Sequence, residues 1–320
     1  KGWLLIMNYI NQLREGDRAQ EIYLCKSMQR LKTKANKSYI SLTLQDKTGL
    51  LDGKIWSENN AIEEFDEMDY IEVTGTINVF QGSHQLNIIR VRRCHEGEYN
   101  PAEYLPTSNK DIDEMYKQLL AYIGSVEQAY LKKLLESFFV EDEEFVKIFK
   151  QHSAAKSVHH SFVGGLLEHT LSVANLCDFY SKQYTILNRD LLITAALFHD
   201  MGKTKELSSF PSNDYTNAGQ LLGHIYMATE LLGSKIKEIP NFPEALAVEL
   251  QHCILAHHGE LEYGSPKKPA IIEALALNFA DNTDAKMQIM IEALDEPTEN
   301  TEWLGYNRFM ESNIKKTTNI

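Results

Sequence analysis

Cysteine is scarce in this chain: four in 320 residues, at 25, 94, 177 and 253, with no CxxC spacing. That excludes a thiolate zinc site of the finger or ribbon type and a disulfide scaffold. The four read as reduced core residues, a pattern that suits a cytoplasmic protein. Long apolar runs are missing too. No stretch of 18 apolar residues occurs, which excludes a helical membrane span. The opening Gly2 to Met7 is too short for a signal-peptide core, and no cleavage motif follows it. There is no internal repeat and no low-complexity tract, which excludes solenoid architectures. Positive charge is also in deficit, with 32 Lys/Arg against 45 Asp/Glu and a net charge of -13. The deficit is uneven, since residues 1–100 carry 13 against 14 and the remaining 220 carry 19 against 31. An overall basic field is therefore excluded. Steering of a polyanion would fall to a local patch and to bound cations.

What is present is a folded chain long enough for two domains, with 43% hydrophobic and 10% aromatic residues. Residues 20–94 read as strands. Glu21 to Met28 alternates loosely, and Ser38 to Gln45 alternates clearly. Asp46-Lys47-Thr48-Gly49 is a turn, and Leu50 to Trp56 follows. Asn59 to Phe65 suits a short helix, and Tyr70 to Phe80 pairs with His84 to Val91 across Gln81-Gly82-Ser83. Five short strands with one helix between the third and fourth suggest an OB-type barrel. A small barrel with a purely structural role is the alternative.

Gly97 to Lys110, with two prolines and small polar residues, reads as a linker. From Asp111 onward the period becomes helical. Met115, Leu119, Tyr122 and Ile123 form one stripe, and Leu131, Leu134, Leu135 and Phe138 another. Helices are also expected at 164–181, 190–199, 219–236, 244–258 and 269–294. Pro243 and Pro269 suit first-turn positions. Ser208 to Gly219 is a polar loop through which a substrate could enter, and Lys315 to Ile320 is expected to fray.

Histidine and aspartate sit where burial makes them costly. His199-Asp200 ends the apolar run Leu191 to Phe198, at a point where the helix opens into a turn at Gly202. Adjacent side chains there can converge on one ion, and Asp200, with two oxygens, can bridge two. Lys203 brings positive charge to the same point. His169 opens an earlier helix, His224 follows Gly223, and His257-His258 closes a further helix at Gly259. Asp281 interrupts Ala274 to Ala280, where an unpaired carboxylate would be expensive. Asp284, one turn on, suits either a supporting role or solvent, and His252 is set apart from the cluster. Nitrogen and oxygen ligands without sulfur suit Mn, Fe, Mg or Zn in a hydrolytic centre.

The ordered set His169, His199-Asp200, His224, His257-His258, Asp281 resembles the HD phosphohydrolase superfamily, an all-helical fold. The resemblance implies that His169, His199, Asp200 and Asp281 hold one metal, that His224 and His257 serve a second, and that Lys203 contacts phosphate. His258 would complete a shell or serve the leaving group. No Gly-Tyr-Pro motif follows His258, which argues against the cyclic-dinucleotide branch. The barrel, linker and helical region together resemble the YhaM family of 3′→5′ exoribonucleases, also described as CMP-binding-factor proteins. The likeness runs from about residue 17 to 300, through Ser41 to Gly49, His160 to His169 and His199 to Lys203.

These readings give a two-domain α+β chain: an OB-fold nucleic-acid-binding domain at 17–96, a linker at 97–110, an all-α HD-type domain at 111–305 and a tail at 306–320. Lys26, Arg30, Lys32, Lys34 and Lys37 cluster around the first interstrand loop. With Tyr39, Arg90 and Arg92 they are the candidate nucleic-acid contacts; Trp56, Tyr70 and Phe80 are further aromatic candidates. Catalysis is assigned to Asp200, Lys203 and His258. The metal ligands are His169, His199, Asp200, His224, His257 and Asp281. The resemblance implies a cytoplasmic enzyme using two divalent ions, manganese first. It would hydrolyse single-stranded RNA, and single-stranded DNA as a second substrate, to 5′-mononucleotides. No membrane is involved, and homo-oligomerisation is left open. The rival readings are a small-nucleotide phosphohydrolase or phosphodiesterase, and a non-catalytic single-strand-binding protein with a structural metal site.

Overall fold

Alternating side chains build the first part of the chain. The computed structural model describes residues 8–33, 36–57, 61–80, 82–156, 160–295 and 302–318, and divides into two units, Lys1–Thr107 and Ser108–Ile320. The first unit holds β1 (Arg18–Lys32), β2 (Ser38–Asp46), β3 (Gly49–Ile55), β4 (Tyr70–Phe80) and β5 (Ser83–Arg93). Along β2, Ile40, Leu42 and Leu44 are buried while Tyr39, Ser41 and Thr43 are only partly so, the period-two pattern of a strand with one face inward. The strands close in the order β1-β2-β3-β5-β4. All pairs are antiparallel except β3 with β5, where Gly53 lies opposite Leu86. This is the OB barrel. A bulge between Cys25 and Ser27 bends the long β1, so that it pairs with both β2 and β4. Leu42, Leu44, Ile55, Val73, Ile77 and Leu86 fill the interior.

Two expectations change here. Of the helix expected at Asn59 to Phe65, residues 59 and 60 lie outside the described residues, and Ala61 to Phe65 form no helix. Their backbone bonds run sideways instead. Val91 N–H donates to Ala61 O at 3.0 Å, Glu63 N–H donates to Val91 O at 3.1 Å, and Phe65 is buried. Residues 97–107, expected as linker, pack on the barrel. Tyr99 stacks on Tyr70 with ring centroids 3.7 Å apart, Lys47 pairs with Glu103 at 2.7 Å, and Tyr104 and Leu105 are buried.

The second unit is helical: α1 (Ile112–Ser125), α2 (Ala129–Phe139), α3 (Glu143–Gln151), α4 (Gly165–Gln183), α5 (Arg189–Phe198), α6 (Lys203–Glu206), α7 (Asn217–Glu238), α8 (Glu244–Ala256) and α9 (Ile272–Asp295). Side chains cap several starts: Asp111 Oδ1 accepts Glu114 N–H at 2.9 Å, and Thr216 Oγ1 accepts Gly219 N–H at 2.9 Å. Every residue of α5 from Leu191 to Phe198 is buried, so α5 is the central helix. Phe138, Phe139 and Phe149 close around Phe198 and its neighbours. Helices α3 and α6 lie outside the helices expected from the sequence. Pro243 and Pro269, expected in first turns, stand before their helices instead: Pro243 is the cap residue before α8, and Pro269 precedes α9 by three residues. Residues 303–305, expected as the end of the helical domain, and the following tail contribute β6 (Trp303–Asn307) and β7 (Ser312–Lys315), which pair as a hairpin with Ile314 buried. Of the segment expected to fray, Lys315 ends β7, and residues 319 and 320 lie outside the described residues.

Candidate metal centre

Helix ends aim two of the histidines. The last turn of an α-helix leaves carbonyls without intrahelical donors. His199 follows α5 and donates Nδ1–H to Ala196 O at 2.8 Å; His257 follows α8 and donates Nδ1–H to Ile254 O at 2.7 Å. A carbonyl only accepts, so each ring is held in the tautomer that leaves Nε2 with a lone pair. His258 is fixed in the same way by Tyr263 O at 2.8 Å. His169, in the first turns of α4, donates Nδ1–H to Asp284 Oδ2 at 2.7 Å. His224 donates Nδ1–H to Glu206 Oε1 at 3.0 Å. Five imidazoles thus spend Nδ1 on an oxygen and keep Nε2 for the centre, the outer-shell arrangement of metal-binding histidines.

The Nε2 atoms form two groups around Asp200. His169 Nε2 lies 3.1 Å from His199 Nε2, 3.2 Å from Asp281 Oδ1 and 3.3 Å from Asp200 Oδ2; His199 Nε2 is 3.4 Å from Asp200 Oδ2. On the other side, His224 Nε2 and His257 Nε2 lie 3.6 and 3.8 Å from Asp200 Oδ1. His169, His199 and Asp281 form one set of donors close enough to share an ion, and His224, His257 and His258 another. Asp200 Oδ1, His224 Nε2 and His257 Nε2 are buried with no hydrogen-bond partner among the described residues. Buried acceptors that face one another this closely repel unless a cation lies among them. The donors therefore fit divalent cations in two distinct clusters.

Charge agrees with that fit. Burial lowers the His257 pKa well below the usual imidazole value, and the neighbouring His258 adds to this. Burial and His224 lower that of His258. Burial acts against ionised Asp200, but Lys203 and His199 outweigh it and hold the carboxyl well below the usual range. Asp281 and Asp284 are likewise held down by histidines, against their burial. At His169, burial opposes a proton, yet Asp200, Asp281 and Asp284 raise its pKa well above normal. This pocket is short of positive charge. Gly202 lets the turn after Asp200 press against α7, since a Cβ there would lie 2.0 Å from His224 O.

Lys203 Nζ lies 2.6 Å from Asp200 Oδ2, with its side chain 15% exposed. His252 Nε2 instead accepts Ala270 N–H at 2.9 Å and anchors a loop. Asp284, which the sequence left undecided, is buried against three partners. It accepts from His169, from His160 Nε2 at 3.0 Å and from the Ser172 hydroxyl. Glu206, His160 and Ser172 were not singled out. For Ser172 and Glu206 spacing carries a signal, since His169 and Ser172, and Asp200, Lys203 and Glu206, recur every three residues as Asp281 and Asp284 do; no such spacing points to His160.

On the barrel, Arg30, Lys32 and Lys37 are exposed around the β1–β2 connection, whereas Lys26 is exposed farther back along β1, at its bulge opposite the other end of β2; Lys34 lies outside the described residues. Tyr39 stacks on Trp56 with centroids 5.0 Å apart. Trp56 is 50% exposed, and its indole N–H donates to Asn87 Oδ1 at 3.0 Å. Arg90 is exposed on β5. Arg92 is held by Glu72 and Glu98, each at 2.9 Å, so its charge is neutralised within the barrel. Phe80 is exposed and Tyr70 is buried.

Comparison with known proteins adds two findings. The family model for the HD domain matches residues 166–286. The 3′-5′ exoribonuclease YhaM of Bacillus subtilis (strain 168) is 36% identical over 296 residues, covering 90% of this chain and 91% of that protein. That of Geobacillus sp. (strain WCH70) is 34% identical over 295 residues, with 90% and 89% covered. That of Listeria welshimeri is 33% identical over 285 residues, with 87% and 88% covered.

Proposed function

The chain belongs to the YhaM family of 3′-5′ exoribonucleases, and from that premise we propose that it removes 5′-mononucleotides from the 3′ end of single-stranded RNA, and of single-stranded DNA as a second substrate. Water adds to the terminal phosphorus, the bond to the 3′ oxygen of the preceding nucleotide breaks, and that oxygen leaves protonated as a new 3′ hydroxyl. The observation that carries this reading is Asp200, whose two carboxylate oxygens face separate groups of imidazole nitrogens.

His169, His199, Asp200 and Asp281 would hold one divalent ion, and His224, His257 and His258, with Asp200, the other. When bound, such a pair polarises the phosphodiester and lowers the pKa of water. Manganese comes first among the ions because the family resemblance implies it; the donor set by itself, imidazole and carboxylate without sulfur, suits iron, zinc and magnesium as well. The protein's own contribution is a buried, preorganised frame, with every ring fixed through Nδ1 before substrate arrives. Lys203 would stabilise the charge that grows on the phosphoryl oxygens. His258, in the second cluster, has Nε2 alone free and would use it either as a ligand or toward the leaving group.

For the barrel, we assign RNA binding to the Tyr39–Trp56 stack, on which a further base can pile, and to Lys26, Arg30, Lys32 and Lys37, which would follow the phosphates. A nuclease with four buried, unpaired cysteines suits the reducing cytoplasm. No helix among the described residues is long and apolar enough to cross a membrane.

The test is a single-stranded RNA labelled at its 5′ end, incubated with manganese, with magnesium and without metal. A ladder shortening from the 3′ end, only when metal is present, is the expected result. Turnover of mononucleotides alone would make the chain a small-nucleotide hydrolase. Tight binding without turnover would make the metal structural.

A further inference from the structure

We infer that Glu206, outside the ligand set, is the positioning residue that assembles the second half of the metal centre. This rests on the two-ion reading of Asp200. Helix α7 is broken at Gly223, whose φ of 74° and ψ of 155° are not helical and suit glycine. A break leaves the N–H groups of the following residues without partners four positions back. The first of these belongs to His224, and it donates to Glu206 Oε1 at 3.0 Å. The same oxygen accepts His224 Nδ1–H at 3.0 Å. One carboxylate oxygen therefore caps the restarted helix and selects the tautomer that turns Nε2 toward Asp200 Oδ1.

Glu206 is itself tied down. Its backbone oxygen accepts Thr216 N–H at 2.9 Å, and the Thr216 hydroxyl donates to Lys205 O at 2.9 Å while capping the start of α7. The single turn of α6 thus reaches Asp200 at one end, through Lys203, and His224 at the other, through Glu206. The other rings depend on different atoms. Main-chain carbonyls fix His199, His257 and His258, and Asp284 on the long α9 fixes His169. Loss of Glu206 should therefore disable His224 and spare the first cluster. Removal of such an outer partner weakens metal binding by about 10- to 100-fold.

The experiment titrates full-length, metal-stripped protein with manganese, counting bound ions by calorimetry and elemental analysis and following the electron paramagnetic resonance signal. Wild type should bind two ions and show the coupled signal of a manganese pair. Glu206→Ala should keep one tight ion, bind the second about 10- to 100-fold more weakly, lose the coupled signal and match His224→Ala. Glu206→Gln keeps an oxygen that can accept both N–H bonds, and should restore most of the second site. Glu206→Asp, one methylene short, should behave like the alanine variant, and it carries the test if Glu206→Ala fails to fold. Circular dichroism checks the fold of each variant. Two ions at wild-type affinity in Glu206→Ala or Glu206→Asp would overturn the inference, as would a folded Glu206→Gln no better than alanine. Wild type binding a single ion would refute the two-ion reading by itself, before any variant is compared.

Discussion

The barrel and the helical unit put their chemistry in opposite places. In the barrel the interior is apolar, and the candidate contacts, Lys32, Lys37 and Trp56, stand on the outside. In the helical unit His169, His199, Asp200 and His257 are buried inside a wall of Leu, Ile and Phe. A small cation needs several donors at once and a dry shell, which means burying polar groups that are costly alone. A polymer needs contacts that are reachable and replaceable, each worth little. Substitutions in the helical unit should therefore act nearly all-or-none, and those on the barrel should act by degrees.

Asp200→Ala tests the strong side of that contrast. No neighbouring group can take the place of a carboxylate shared between two clusters, so turnover should fall below detection and both ions should be lost. The helical dichroism should stay close to wild type. A purified variant with a near-normal rate would show that the centre has been assigned to the wrong residues.

Lys203→Ala should come next, with a drop of about 10²- to 10³-fold in the chemical rate, the scale of one lost electrostatic stabiliser, and metal content near wild type. Single-turnover rates at saturating RNA, with metal measured on the same sample, decide the matter. Because Lys203 pairs with Asp200 at 2.6 Å, metal loss in parallel with rate loss would make its role structural.

On the barrel, Trp56→Ala should weaken binding of a long single strand by about 1–3 kcal/mol, the range for one stacked base, and leave hydrolysis of a dinucleotide unchanged. Equal losses on both substrates would erase the contrast between the units. The smallest effect is expected from Lys32→Gln with Lys37→Gln. Each lost phosphate contact should reduce the slope of log affinity against log salt by about 0.7. An unchanged slope would make this loop an ordinary solvated surface.

Much of the fold was legible because it follows from local periodicity. Strand β2 shows its buried Ile40, Leu42 and Leu44 at every second position, and α5 is an apolar run long enough to be a central helix. The segments that escaped are those whose structure depends on distant partners. Ala61 to Phe65 resembles a helical turn in composition but spends its backbone bonds on Val91. Helix α3 is short and charged, and is recognisable chiefly by Phe145 and Phe149 one turn apart. The residues read as a linker include Tyr104 and Leu105, which are buried, and Tyr99, which stacks on Tyr70; these contacts depend on the rest of the barrel surface being there.

In the centre, the sequence by itself determined the inventory: which histidines and aspartates interrupt apolar helices, and that His199 and His257 lie just past helix ends where free carbonyls wait. Such features are local, because a helix terminus and a buried carboxylate carry their cost wherever they fall in the chain. Only the tertiary structure decided which oxygen of Asp200 faces which nitrogens, that Asp284 sits behind His169, and that Glu206 grips His224 across 18 residues. These are distances of about 3 Å between atoms far apart in sequence. The packing of α4 on α9 and of α6 on α7 sets them, and no pattern of side-chain types along the chain encodes an angle between helices.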